Sequence, residues 1–281
     1  MGMKSSRRSF LTGAAGAAGV GLTAAGAGAA VENDTLGFKL GLATYSLREF
    51  QRGMAIKMIR EIGTPYVSLK EFHLWVSAGR EEWARGRKAF ERAGLKLTSG
   101  GVIYFESADP EDIRRNFEYA KTAGMPMIIA APTHQNLATI QKFVKEYDIA
   151  IAIHNHGPED KEFPTPQSVL KAVRDMDPRC GLCIDLGHTA RTGADVIASL
   201  VEAGDRLLDV HIKDMRSLLD GRSGCDVGDG AMPVVAIFKQ LRKMGYKGCV
   251  NLEYEIDGDD PMPGILKSFS YMRGVLAGLK G

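Results

Sequence analysis

The sequence predicts an α/β protein built as a single (βα)8 TIM barrel. Two observations carry this prediction: apolar, β-branched runs recur along the chain, and amphipathic segments of helical periodicity separate them. Most of the runs are nearly continuous rather than alternating, which is typical of parallel strands covered on both faces. Eight such units in about 245 residues match the size of a closed barrel. The predicted strands are 38–46, 66–73, 95–105, 125–132, 149–157, 180–188, 207–215 and 248–256.

The segments between the strands carry the end signals of helices. Asp109 and Pro110 open one segment as an N-cap followed by a first-turn proline, and Gly124 closes it. No linker or low-complexity tract divides residues 36–281, which are therefore predicted to form one domain. A doubly wound open sheet is the alternative, although it would more usually stop at about five to seven strands. The predicted helices are 81–94, 109–124, 165–177, 194–205 and 234–245.

Residues 1–30 differ in composition and are predicted to form a twin-arginine signal peptide. The stretch SRRSFL (6–11) resembles the twin-arginine motif, and Ala27-Gly28-Ala29 fits a small-residue cleavage site. This predicts passage through the twin-arginine export machinery and a periplasmic or other extracytoplasmic location. A disordered basic tail and a membrane anchor are the alternatives. A stable anchor is not expected, because the stretch is Gly-rich and weakly apolar for a spanning helix.

The charge distribution bears on whether the protein binds nucleic acid, and the cysteines bear on whether it forms disulfides. The formal net charge is +2, and no basic stripe with interleaved aromatic residues is present, so no nucleic-acid partner is expected. Cys180 and Cys183 lie on one predicted strand and point to opposite faces, so they cannot pair with each other. Cys225 and Cys249 are isolated in the sequence, so a disulfide is not implied.

Unusual polar residues follow the predicted strands at the end where a TIM barrel carries its active site. Five of the six histidines lie there, together with several carboxylates. Imidazole and carboxylate donors suit Mn, Co, Zn or Fe, with Mg less favoured, and neighbouring strand ends bring one donor each to a common point. The sequence therefore predicts a divalent metal site, with a polar mouth that holds no metal as the alternative. The polar residues at these strand ends, from which the ligands would come, are Lys70, Glu71, His73, His154, His156, Asp185, His188, His211, Lys213, Glu253 and Glu255.

The order of these motifs resembles that of the xylose isomerase-like TIM barrels, which include sugar phosphate isomerases and epimerases, inosose dehydratases and endonuclease IV-type nucleases. The motifs are IDLGH (184–188), VHIKD (210–214) and LEYE (252–255). The resemblance implies that Asp185, His211 and Glu253 are metal ligands. It also implies that His188 and Lys213 contact the hydroxyl groups of a carbohydrate substrate.

One position departs from the pattern of that family. The family usually places a glutamate at the end of strand five, where this chain has His154 followed by Asn155 and His156, as in the family's ENH pattern. His154 is therefore predicted to be the fourth metal ligand. His156 is predicted to contact the substrate, and metal binding or support of its neighbours are the alternatives.

The departure at strand five affects the expected chemistry. In the epimerases and isomerases that the chain resembles, two metal-bound glutamates exchange a proton with opposite faces of the sugar. Glu253 would serve one face here, whereas a coordinated neutral imidazole at His154 is a poor base. Glu255, Lys70 and His73 are the candidates for the second catalytic group, and a charged Lys70 would serve better as an electrophile.

Three further residues are predicted at the rim of the site. Tyr45, at the end of strand one, is predicted to stack against a sugar or to fill the barrel top. Arg216 and Arg222 lie in the long glycine-rich segment after strand seven, and segments of that length are usually functional or disordered. Arg216 is predicted to contact the substrate, with a solvated charge as the alternative.

The leading functional hypothesis is a divalent-metal-dependent sugar isomerase or epimerase-like enzyme that removes a proton beside a metal-bound carbonyl. A lyase that eliminates the aglycone of a 3-keto-glycoside shares this first step, and His154 and the predicted export favour it. An endonuclease IV-type nuclease and a non-catalytic carbohydrate-binding barrel are further alternatives, because a fold alone does not establish an activity.

Overall fold

The computed structural model describes residues 37–280, in which eight parallel strands close into a barrel. The predicted signal peptide lies outside the described residues. The barrel strands are β1 Lys39–Ala43, β2 Tyr66–Leu69, β3 Lys96–Phe105, β4 Met127–Pro132, β5 Ala150–His154, β6 Cys180–Asp185, β7 Leu207–Ile212 and β10 Cys249–Leu252. Strands β8 and β9 form a separate hairpin, which is described below. The barrel strands run in the order β1-β10-β7-β6-β5-β4-β3-β2. The predicted single TIM barrel is confirmed.

Helices follow the strands and cover the outside of the barrel. They are α1 Arg52–Ile62, α2 Arg80–Arg92, α3 Pro110–Ala123, α4 Leu137–Tyr147, α5 Pro166–Val173, α6 Leu186–Arg191, α7 Val196–Ala203, α8 Val234–Lys243 and α9 Met262–Gly278. Within residues 37–280, no helix combines the length and the apolar character needed to cross a bilayer.

The predicted end signals lie where the helices begin and end. The Asp109 carboxylate accepts the Glu111 amide proton at the start of α3, and Pro110 occupies the first turn. Gly124 ends this helix in the left-handed region, with a φ of 76° that costs glycine little. Local sequence thus fixes both ends of the helix.

The core has an outer and an inner part. The outer part lies between the strands and the helices and includes Cys180, Leu182 and Ile184 of β6. The inner part lies inside the barrel and includes Cys183 of the same strand, because side chains alternate between the two faces. The prediction that Cys180 and Cys183 point to opposite faces is therefore confirmed, and all four cysteines are free and buried.

Several strands end earlier than the apolar runs that predicted them. Strand β2 ends at Leu69, and residues Glu71–His73 form a 3-10 helix. Strand β6 ends at Asp185, which caps α6. The apolar run continues beyond each strand because the first turn of the connection also packs against the core, so hydrophobicity alone does not mark the strand end.

A two-stranded hairpin forms within the segment after β7. Its strands are β8 Asp214–Met215 and β9 Gly224–Cys225. The Asp214 carboxylate accepts four backbone N–H groups, including those of Gly228, Gly230 and Met232 at 2.9, 3.2 and 2.9 Å. A Cβ atom at Gly230 would collide with Asp214 Oδ1. This long segment is therefore ordered by one carboxylate and two glycines.

Candidate metal centre

Four buried side chains from consecutive barrel strands converge at the carboxyl end of the barrel. His154 ends β5, Asp185 ends β6, His211 lies in β7, and Glu253 follows β10. One donor atom from each lies within 4.8 Å of the other three. Strand pairing causes this convergence, because Asp185 pairs with His211 in the β6–β7 register. The structure brings together the four residues that the sequence predicted as metal ligands.

The distances identify the donor atoms that face one another. His154 Nε2 lies 3.2 Å from His211 Nδ1 and 3.5 Å from Asp185 Oδ2. His211 Nδ1 lies 3.5 Å from Glu253 Oε2. Asp185 Oδ2 is buried without a hydrogen-bond partner. Two imidazoles and two carboxylates at this spacing fit a borderline divalent cation.

Lys213 places an ammonium group against the carboxylates of the cluster. Its Nζ lies 2.9 Å from Glu253 Oε2, 2.7 Å from Glu255 Oε2 and 3.0 Å from Asp185 Oδ2. The contact with Asp185 is an ion pair without hydrogen-bonding geometry. Gly187 gives the lysine room, since a Cβ atom there would lie 2.6 Å from Lys213 Cγ. The IDLGH motif therefore needs a glycine at this position, because a larger residue would collide with the Lys213 side chain.

Burial and neighbouring charges set the protonation of the cluster. Burial lowers the pKa of His154 to about 3, which keeps this imidazole neutral. Burial would raise the pKa of the Glu253 carboxyl, but Lys213 and His211 pull this pKa well below its usual range. Burial would likewise lower the pKa of Lys213, but Asp185, Glu253 and Glu255 raise it well above its usual range. Carboxylates, a neutral imidazole and an ammonium group therefore coexist here.

Asp185 acts both as a helix cap and as a member of the cluster. Its Oδ1 accepts the His188 amide proton at 2.7 Å at the start of α6, which leaves Oδ2 to face His154 and Lys213. Asn155 holds the same strand end, since its Oδ1 accepts the Asp185 amide proton at 3.0 Å and its Nδ2 donates to Thr189 Oγ1 at 3.1 Å. Asn155 was not predicted to have a role, although its place beside His154 in the motif was a signal.

The rings of two more histidines, His156 and His188, lie beside the ring of His154. The ring centroids of His156 and His188 lie 4.3 and 5.9 Å from that of His154. His156 stacks against Tyr104 at 6.0 Å, and its Nδ1 lies 3.3 Å from Asp160 Oδ2. Both predicted substrate contacts therefore line the mouth next to the cluster.

Lys70 and Tyr45 lie on the opposite side of the mouth. Lys70 Nζ donates to the Val102 carbonyl at 2.7 Å and lies 5.5 Å from the centre of the Tyr104 ring. Burial lowers the pKa of Lys70, while the charges of Glu71 and Glu253 oppose this shift. Tyr45 packs against Phe72 at 6.2 Å and forms part of the rim.

The structure gives His73 a role other than the predicted catalytic one. The His73 ring is buried, with Nδ1 2.9 Å from Thr44 Oγ1 and Nε2 3.0 Å from the Phe50 carbonyl oxygen. The carbonyl requires Nε2–H as its donor, so Nδ1 accepts from the threonine hydroxyl. Both nitrogens are occupied, and His73 joins the turn after β2 to the segment between β1 and α1 as a structural residue.

Arg216 follows β8 in the hairpin segment, and its predicted contact with the substrate stays a prediction. Its side chain is exposed, and its backbone N–H donates to the Ser223 carbonyl in the hairpin segment at 2.9 Å. Glu255, in contrast, lies at the mouth and reaches the cluster through Lys213.

Two depressions flank the cluster. One has a volume of about 220 Å³, lies beside the hairpin, and is lined by Lys213, Glu253, Glu255, Arg222 and Ile256 among others. The other has a volume of about 390 Å³ and is lined by Tyr104, Ala131, His156 and Asp160 among others. A substrate bound over the cluster would therefore have room on both sides.

A buried polar layer lies below the cluster and was missed in the sequence. Asp209 accepts hydrogen bonds from Asn251 Nδ2 at 2.8 and 3.1 Å and from Ser99 Oγ at 3.2 Å. Burial raises the pKa of the Asp209 carboxyl to about 6. The available signal was a set of polar residues inside otherwise apolar strands.

Relatives with curated names match about half of the chain. The rhizopine catabolism protein MocC of Rhizobium meliloti is 29% identical over 144 residues, covering 46% of this chain and 44% of that protein. The inosose dehydratase of Mesomycoplasma hyopneumoniae (strain 7448) is 26% identical over 163 residues, covering 51% of this chain and 53% of that protein. This chain thus spans about half the length of these relatives.

Solved structures share the fold over most of the chain. The IOLI protein, whose structure holds a zinc atom, superposes with a TM-score of 0.72 at 17% identity, covering 86% of this chain and 99% of that chain. The 3-keto-D-glucoside 4-epimerase YcjR of E. coli superposes with a TM-score of 0.67 at 18% identity, covering 84% and 99%. The profile of the xylose isomerase-like TIM barrels matches residues 56–275, so the chain belongs to that family.

Proposed function

We propose that this protein is a divalent-metal-dependent enzyme that acts on a carbohydrate by removing a proton beside a carbonyl group, as an isomerase or epimerase does. The observation that carries the proposal is the convergence of His154, Asp185, His211 and Glu253 at the barrel mouth. The names of relatives support the substrate class, since they include an inosose dehydratase and a 3-keto-D-glucoside 4-epimerase.

The four converging residues would hold the cation. Their mixed nitrogen and oxygen donors suit Mn, Co, Zn or Fe better than Mg. When bound, the cation would polarise the substrate carbonyl and stabilise the negative charge that develops on proton removal.

The remaining side chains would bind the substrate and move the proton. Glu253 is ionised, so one of its carboxylate oxygens can accept the proton next to the carbonyl. Lys213 Nζ and the His188 ring would donate to substrate oxygens beside the cluster. Lys70, on the far side of the mouth, or Glu255 would supply the second catalytic group.

A lyase is the second candidate, and one feature of the site favours it. The position at the end of β5 holds neutral His154 and not a carboxylate, so the base that an epimerase needs there is missing at that position. Elimination needs only one base to start the reaction. The two depressions flanking the cluster would accommodate both the sugar and the aglycone of a 3-keto-glycoside.

Incubation with substrate in heavy water separates the candidates. The protein, loaded with Mn²⁺ or Co²⁺, would be given a ketohexose and a nitrophenyl 3-keto-glucoside. Deuterium in a stereoisomer or isomer supports the epimerase or isomerase, and release of nitrophenol supports the lyase. Sugar binding without either reaction, retained in Asp185→Ala, would instead indicate a non-catalytic barrel and overturn the proposal.

We also propose that the enzyme acts outside the cytoplasm. The SRRSFL stretch and the small-residue site at 27–29 support this. Fractionation of cells expressing the full chain would show the mature protein outside the cytoplasm, and Arg7→Lys/Arg8→Lys would retain it inside. An equal distribution of the two forms would refute export by this route.

A further inference from the structure

Cys183 lies inside the barrel next to the four-residue cluster. It precedes Asp185 by two positions on β6, so both side chains point to the interior. The thiol is free and fully buried among Val102, Ile129 and Ala152. Its Sγ and one ring nitrogen each of His154 and His211 lie within 4.8 Å of one another. Two sets of donor atoms therefore share the same two histidines.

Each shared histidine keeps a buried ring nitrogen without a hydrogen-bond partner, Nδ1 in His154 and Nε2 in His211. In His211, Nδ1 faces His154 and Glu253, so Nε2 is on the side of the ring turned away from the carboxylate. The Cys183 Sγ lies within 4.8 Å of one ring nitrogen of His211. A buried polar atom without a partner is destabilising, so a ligand at these nitrogens would be favoured.

The charges also differ between the two donor sets. Asp185 and Glu253 already form ion pairs with Lys213, at 3.0 and 2.9 Å. A cation bound by these carboxylates must share them with the ammonium group or displace it. Cys183 forms no ion pair with that lysine, so a cation bound through the thiol meets no such competition.

We propose that His154, Cys183 and His211 form an inner cation position that takes soft ions such as Zn²⁺, Co²⁺ or Cd²⁺. Thiolate sulfur selects these ions, whereas Mg²⁺ and Mn²⁺ prefer oxygen donors. The thiol proton passes to solvent as the bond between Sγ and the ion forms. The inner position alternates with the outer position formed by His154, Asp185, His211 and Glu253. The inference rests on the proposed function, because both positions use the same histidines.

The test is the absorption spectrum of the full-length protein during titration with Co²⁺. A thiolate bound to cobalt gives an intense charge-transfer band in the near ultraviolet, whereas nitrogen and oxygen donors do not. We expect this band in the wild type and in Cys180→Ser, the matched control on the outer face of the same strand. We expect Cys183→Ser to lose at least about nine-tenths of the band, because only the sulfur ligand produces it.

Each outcome decides a separate point. Cobalt bound to the wild type without the band overturns the inner position and leaves the proposed function intact. A band that persists in folded Cys183→Ser also overturns it, because another thiol would be the ligand. Failure of the wild type to bind cobalt would contradict both proposals. If Cys183→Ser does not fold, the wild-type spectrum still decides the question, and Cys183→Ala replaces the variant.

Discussion

The two halves of the barrel mouth use similar residue types in different ways. At the ends of β5, β6, β7 and β10, His154, Asp185, His211 and Glu253 face one another. At the ends of β1 and β2, His73 is held by the Thr44 hydroxyl and the Phe50 carbonyl. Position at a strand end is therefore not enough to identify a functional histidine. The partners of its two ring nitrogens distinguish the two cases.

Replacing Glu253 with Gln should have the largest effect of all, in the half of the barrel mouth that holds the four converging residues. The glutamine keeps the size of the side chain but cannot accept the substrate proton, so we expect a loss of at least about 10³-fold in the rate of solvent deuterium exchange. The rate would be measured with the substrate found in the heavy-water assay. Glu91→Gln, half-exposed in α2 and outside the site, is the control and should change the rate by less than about twofold. Equal losses would remove Glu253 from its role.

Replacing His73 with Leu should destabilise the half of the mouth at the ends of β1 and β2 without affecting metal binding. The Thr44 hydroxyl and the Phe50 carbonyl would lose their buried partner, so the free energy of unfolding should fall by about 4 kcal/mol in urea denaturation. The metal content of the folded protein should be unchanged. Gln at this position can donate and accept, so His73→Gln should recover part of the stability. Loss of bound metal in His73→Leu would show that the two halves are coupled.

The buried layer below the cluster predicts a smaller, pH-dependent effect. Asp209 has a pKa of about 6 when folded against 3.8 ordinarily, so the folded state favours its protonated form. Its stabilising contribution is therefore complete below about pH 4 and is lost as the pH rises through 6, by about 2–3 kcal/mol. Asp209→Asn cannot ionise, and its stability relative to the wild type should rise by this amount between pH 4 and pH 7.

Urea denaturation at several pH values measures this difference. The exposed Asp205, replaced by Asn, serves as the control for the substitution itself. A flat difference for Asp209→Asn would show that folding does not raise the pKa of the Asp209 carboxyl.

Sequence periodicity was sufficient to predict the barrel, because each strand and helix is built from local patterns. The convergence of His154, Asp185, His211 and Glu253 was also predictable, since neighbouring parallel strands end at the same edge. The role of His73 was not, because its partners Thr44 and Phe50 lie more than twenty residues away in sequence. The four backbone bonds of Asp214 and the layer around Asp209 likewise depend on contacts between distant segments.

The metal content of the untagged protein tests the central claim most directly. Elemental analysis of the wild type should find about one divalent ion per chain, and Asp185→Ala/His211→Ala should retain less than about a tenth of it, since the variant loses two of the four converging donors. Equal metal content in the two folded proteins would contradict the account.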